Sequence, residues 1–221
     1  MPETSRSYPL AAPADSRAVS TTQLLGQVMF LVAIAIGFLV AGSYLGRDLA
    51  LGTARILSFA GFGMLLAQIF AASLRYGALG IGWLAATAAM IGFGLGPTLN
   101  YYATVDPATL TSAMALTALT VVAMGAAGFA ISKDTVRWMR PLSWMVLACV
   151  GVSIIAFVVG GIGTISPFLS IVILAASAAL ILVDFNYVRK HATEDDVVWL
   201  ATGIFVSIVN IFLSLLNLLR S

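Results

Sequence analysis

Residues 180–221 read LILVDFNYVRKHATEDDVVWLATGIFVSIVNIFLSLLNLLRS, and they decide what kind of chain this is. One apolar run ends at Arg189 and Lys190, a short charged hinge follows, and a second apolar run completes the sequence. That second run, 196–218, has the roughly 20 residues a helix needs to cross a bilayer. Asp184 lies inside the first run, five residues before Arg189, and no other apolar segment holds an acid so far from its ends. In the last run Gly203, Ser207, Asn210, Ser214 and Asn217 recur at steps of four, three, four and three, which is one face of a helix.

The remaining sequence is of the same kind. Of 221 residues, 61% are hydrophobic and 9% are charged, whereas soluble domains are about half apolar and a quarter charged. Beyond a polar, Ser-, Pro- and Ala-rich stretch at 1–21, read as a flexible tail, six more apolar runs precede or adjoin the closing one. Their expected limits are 22–45, 54–74, 79–103, 108–131, 141–162 and 167–188. The run at 22–45 exceeds the apolar core of a signal peptide and reads as a retained span. The runs are continuous rather than alternating, so they predict helices and not a barrel. The fold class is therefore an all-α integral membrane protein, with one seven-helix transmembrane domain over 22–221.

Charge sets an expected orientation. The tail and the loops at 75, 133–140 and 189–190 hold eight of the eleven Lys and Arg, while Arg47, Arg55 and Arg220 fall on the other side. The N-terminus is expected in the cytoplasm and the C-terminus outside. A net charge of +2, scattered along the chain, gives no nucleic-acid surface. Small-residue pairs such as Gly42/Gly46 and Gly92/Gly96 predict close helix packing, within the chain or at a dimer face.

Residue counts remove several chemistries. Cys149 is the sole cysteine, which leaves no disulfide framework or cysteine metal cluster. His191 is the sole histidine and lies in a loop, so bis-histidine haem and HExxH zinc sites are absent. No GxSxG or GxxxxGK[ST] occurs, and Lys133 and Lys190 both lie in loops, leaving no lysine for a Schiff base within a span. No cofactor and no enzymatic activity are expected.

Asp184 is the candidate that remains. An ionised Asp at a helix centre costs about 2.5–3.5 kcal/mol on insertion scales, less near an interface, and such acids usually line ion or proton paths. Ser170, Ser177 and Asp184 are spaced by seven and share a helix face. Asp184 also reads as an interfacial acid, wetted or paired with Arg189 or Lys190. The stripe through Ser207 and Asn210 reads either as a second wall of a polar path or as ordinary glue between helices, about 0.6 kcal/mol per contact. Gln68 and Arg75 are likewise seven apart, and Arg75 shares the cytoplasmic end with Asp184, which suggests a latch between the two. Thr193 is a cap for the final helix, with Glu194, Asp195 and Asp196 at its positive end.

These stretches carry a resemblance. Gly94-Leu95-Gly96-Pro97-Thr98-Leu99-Asn100-Tyr101-Tyr102, Ser132-Lys133-Asp134 with Trp138 to Leu142, and above all Asp184 through Asn217 resemble the Bax inhibitor-1 (TMBIM-like) family, and within it the bacterial YccA-like branch. The resemblance runs from Thr22 to Ser221. It implies a bundle around a central final helix. It also implies, for some members, a proton-sensitive Ca²⁺ leak gated by two aspartates and an arginine latch. Asp184 matches the first aspartate by position, whereas Ser207 stands where the second would be, so the like-charge pair is missing. Arg75 falls about one residue from the latch position. The YccA-like branch, with Val206-Ser207 in the last helix, implies instead a multi-pass inner-membrane partner or modulator of the membrane protease FtsH, which would engage the tail at 1–21. Two expectations follow: a protease modulator, and a slow pH-sensitive leak, with Ca²⁺ as the permeant ion, governed by Asp184, Ser207, Arg75 and Asn210.

Overall fold

In lipid a continuous apolar run satisfies its backbone only as a helix. The computed structural model describes residues 20–159 and 166–220, and among these there is no strand. Most of the expected tail at 1–21 and the Gly160-Gly161-Ile162-Gly163 turn lie outside the described residues.

Seven long helices follow one another. The first, α1 (Thr21–Leu45), starts where Ser20 Oγ accepts the Gln23 N–H at 3.2 Å. It is followed by α2 (Leu51–Phe70), a short turn at Ala72–Arg75, and α3 (Gly77–Val105). Gly77 opens α3 at φ 60°, a left-handed backbone that glycine adopts without strain. The next helix, α4 (Pro107–Ala130), has Pro in its first turn and Asp106 Oδ1 accepting the Thr109 N–H at 3.1 Å. The last three are α5 (Met139–Val159), α6 (Pro167–Lys190) and α7 (Val197–Leu219).

Six of these, counting α7 with its leading turn, have the length and apolar content to cross a membrane. The seventh, α5, has 21 residues, which at 1.5 Å each is about 31 Å, the thickness of the hydrocarbon layer. The expected second span, 54–74, is displaced: the helix closes at Phe70, because the Arg75 side chain turns back onto the carbonyls of Gln68 and Ile69. Conversely, α6 runs on to Lys190, because its last cations reach carbonyls beyond the helix.

The last helix is central. It packs against α1, α3, α4 and α6, while α2 lies on α3 and α5 on α6. Leu200, Ile204, Phe205 and Ile211 of α7 are fully buried, the first three of them among Val28, Val32 and Ala35 of α1, Leu84 and Ala88 of α3, and Val188 of α6. Outward-facing side chains are just as apolar: Phe70 is 86% exposed and Phe168 74%. Such a surface would be a liability in water and is ordinary against lipid. Tyr44 and Tyr101 at one end, and Tyr76 and Trp138 at the other, are exposed near helix termini as an interfacial belt.

The glycine pairs pack within the chain. A Cβ at Gly42 or Gly92 would collide with the backbone of Ala89 or Leu39, and one at Gly46 would lie 2.6 Å from Phe93 O. Thus α1 and α3 meet backbone to backbone.

Candidate functional site

Helix order brings three connections to one end of the bundle: the Ala72–Arg75 turn, the segment between α4 and α5, and the hinge between α6 and α7. Direct contacts show this. Gln68 Nε2, near the end of α2, donates to Thr202 Oγ1 of α7 at 3.3 Å, and Lys190 Nζ donates to Ser132 O at 2.5 Å. The hinge itself is capped, with Thr193 N–H and Thr193 Oγ1 each 2.9 Å from Asp196 Oδ2.

Asp184 sits a turn and a half inside this end, on α6, and is buried with Ser170 and Ser177 of the same face. Its Oδ2 lies 3.6 Å from where a Cβ would stand on Gly203 of α7, and nothing else approaches that point within 4 Å. Gly203 is exposed although Thr202, Ile204 and Phe205 around it are buried. A gap therefore reaches the central helix at the level of the carboxylate. Among the described residues the carboxylate has no hydrogen-bond donor and no cation as partner. A buried carboxylate without a counter-charge is electrostatically exposed to whatever enters that gap.

The two cations once available to Asp184 are engaged elsewhere. Arg189 donates to Phe129 O and, at 2.7 Å, to Ile131 O, and Lys190 holds Ser132 O. The latch expected from Arg75 is not formed in this structure. Arg75 Nε donates to Gln68 O at 2.8 Å and its Nη2 to Ile69 O, so the guanidinium serves orphan carbonyls at the end of α2. Its link to the site is indirect, through Gln68 and Thr202, one residue from Gly203.

Ser207 is buried one turn beyond Gly203 on the same face of α7. Asn210 follows, and its Nδ2 is cut off from the surface without a hydrogen-bond partner, as is Ser177 Oγ on α6. Asn217 Nδ2, further along, donates to Ser170 Oγ at 2.9 Å. The structure thus joins Asp184, Ser207 and Asn210 along one α6–α7 seam and leaves Arg75 at its edge.

Asn186 went unnoticed in the sequence. It is fully buried, two residues from Asp184 and therefore about 200° around α6, on another face. Its Oδ1 accepts from Thr135 N–H at 3.2 Å and Thr135 Oγ1 at 3.1 Å. Its Nδ2 donates to Gly128 O at 3.1 Å and Ile131 O at 3.0 Å. The signal available was a lone amide inside an apolar run, three residues before Arg189, Lys190 and His191. Beside it, His191 Nε2 lies 2.7 Å from Asp134 Oδ2. The Val136 N–H, and after it His191, hold the Asp134 carboxyl below the usual carboxylate range.

Among the described residues, no three His, Cys, Asp or Glu side chains converge as a metal-binding group. A family model described as "Inhibitor of apoptosis-promoting Bax1" matches residues 21–221. Comparison with curated proteins gives no match.

Proposed function

Because the chain belongs to the Bax inhibitor-1 family of multi-pass membrane proteins, we propose that it is a slow, proton-sensitive leak for small cations, Ca²⁺ foremost, in a bacterial inner membrane. The observation that carries this reading is the Asp184 carboxylate, partnerless among the described residues, beside the exposed Gly203. An ion or a proton entering that gap neutralises a charge that the protein itself does not. Ser207 in place of a second aspartate leaves one titrating carboxyl rather than a coupled pair, so flux should respond to pH as a single step. The N-terminus faces the cytoplasm in this reading and the C-terminus the outside, following the charge asymmetry.

The test is Ca²⁺ flux in liposomes between pH 5 and 8. Wild-type protein is expected to leak with a pH dependence that Asp184→Asn abolishes while remaining folded. Absence of flux at every pH in that range, or an unchanged profile in Asp184→Asn, rejects the leak.

The sequence of the tail favours a second reading. A polar, Pro-containing stretch ahead of a helical bundle suits engagement by an FtsH-type membrane protease, which would make this protein its partner or modulator. Deleting residues 1–19, which keeps the Ser20 cap of α1, should then abolish co-purification with the protease and leave the thermal unfolding of the bundle unchanged. Retained co-purification would exclude it.

A further inference from the structure

Two contacts fix the register of α6 against α7. Asp184 lies against Gly203, and Ser170 bonds Asn217. The helices run antiparallel, and both intervals, 170 to 184 and 203 to 217, are fourteen residues long. The midpoints, Ser177 and Asn210, therefore face each other, about 10 Å from each end pair at 1.5 Å per residue. Among the described residues, three buried side-chain polar atoms lack a hydrogen-bond partner, and two of them are Ser177 Oγ and Asn210 Nδ2, the third being Thr87 Oγ1 on α3. Ser177 is fully buried.

Leaving an amide and a hydroxyl unpaired at the same depth of a bundle is unfavourable, because each has given up its partners outside the bundle without gaining one inside. Ser177 could bond the carbonyl four residues back, as Thr202 bonds Val198 O at 2.9 Å and Thr117 bonds Ala113 O at 2.7 Å. It does not. Its hydroxyl is therefore left without a partner, as is the Asn210 amide nitrogen, which the register places at the same level.

We propose that Ser177 and Asn210 together bind an internal water in the middle of the α6–α7 seam. A water suits both groups: it accepts from Asn210 Nδ2 and exchanges a hydrogen bond with Ser177 Oγ. A metal cation does not, because the free amide hydrogens would repel it. The seam then carries polar groups at three levels: a carboxylate against a glycine, a water-bridged pair, and a direct side-chain pair. This site does not rest on the leak. A chain that carries no ions could still hold the water.

The experiment is a structure of the full chain in lipid at a resolution that shows ordered water. A peak within hydrogen-bond distance of both Ser177 Oγ and Asn210 Nδ2 is expected in the wild type. It should vanish in Asn210→Leu and weaken or shift in Ser177→Ala, a smaller change that spares the fold. A direct bond between the two side chains, or a wild-type map without the peak, overturns the proposal. The liposome assay is read separately: flux without the peak refutes only the water site, and the peak without flux refutes only the leak.

Discussion

The bundle has two seams built on opposite principles. Between α1 and α3, glycines let two backbones touch. Between α6 and α7, serines, asparagines and an acid face one another, and several of their polar atoms lack partners. Both seams are legible as stripes of small or polar residues, and a stripe alone does not distinguish them. What separates them is the space left over. A Cβ added on the first seam meets backbone, whereas one added at Gly203 meets only the Asp184 carboxylate at an ordinary contact distance of 3.6 Å. The first seam brings two backbones into contact; the second leaves room for a methyl group beside a charge.

The same substitution on each seam tests that distinction. Gly92→Ala should have the largest effect. The added methyl meets the Leu39 backbone, which cannot rotate away, so the helices must separate, at a loss at or above the usual overpacking range of about 1–3 kcal/mol. Gly37→Ala, on α1 with open space around it, is the control. Thermal unfolding in detergent that fails to separate the two variants would remove the backbone contact as the basis of the seam.

Next in size is Asn186→Ala. Four hydrogen bonds disappear, and the carbonyls of Gly128 and Ile131 lose a donor in a buried setting, for a loss of about 2–3 kcal/mol. If instead α6 is held chiefly along the polar seam, this variant will unfold with the wild type, and an Asn217→Ala variant will be the weaker of the two.

Asn186 also shows where sequence reading stops. The spans, the capping of the hinge by Thr193, and the shared face of Ser170, Ser177 and Asp184 all follow from local rules of period and capping. So did the close packing of Gly42 and Gly92, although not their partner helix. Asn186 and Asp184 look alike in sequence, as polar residues two apart in an apolar run. Only packing assigns one to the loop after α4 and the other to a gap at α7. The placement of Arg75 differs from expectation for a related reason. Shared depth in the membrane suggested a pairing with Asp184, but the orphan carbonyls at the end of α2, just before its own turn, claim its donors.

A smaller effect, of opposite sign, is expected from Gly203→Ala. The methyl clashes with nothing, and replacing a mid-helix glycine by alanine favours the helix by up to about 1 kcal/mol. Stability should hold or rise slightly while flux falls, because the methyl occupies the gap beside Asp184. A variant that is destabilised like Gly92→Ala would show that the two seams are packed alike after all.

The smallest effect concerns how the open seam is held at its end. The bond between His191 and Asp134 ties the segment after α4 to the end of α6. The Val136 N–H and His191 depress the Asp134 carboxyl, so the folded state binds its proton less readily than the unfolded chain does. That contribution is present above the ordinary carboxylate value near 4 and is lost as pH falls through the lower, folded value. Both side chains are half exposed, so the contribution is small and screened by salt. Asp134→Ala should therefore lower the melting temperature slightly at neutral pH and converge with the wild type as pH drops well below 4. Its liposome flux between pH 5 and 8 should match the wild type, because the carboxylate stays ionised throughout that range. A shifted flux profile would assign the pH response to this clamp rather than to the seam, and would make the α6 end, not Asp184, the part of the molecule that senses protons.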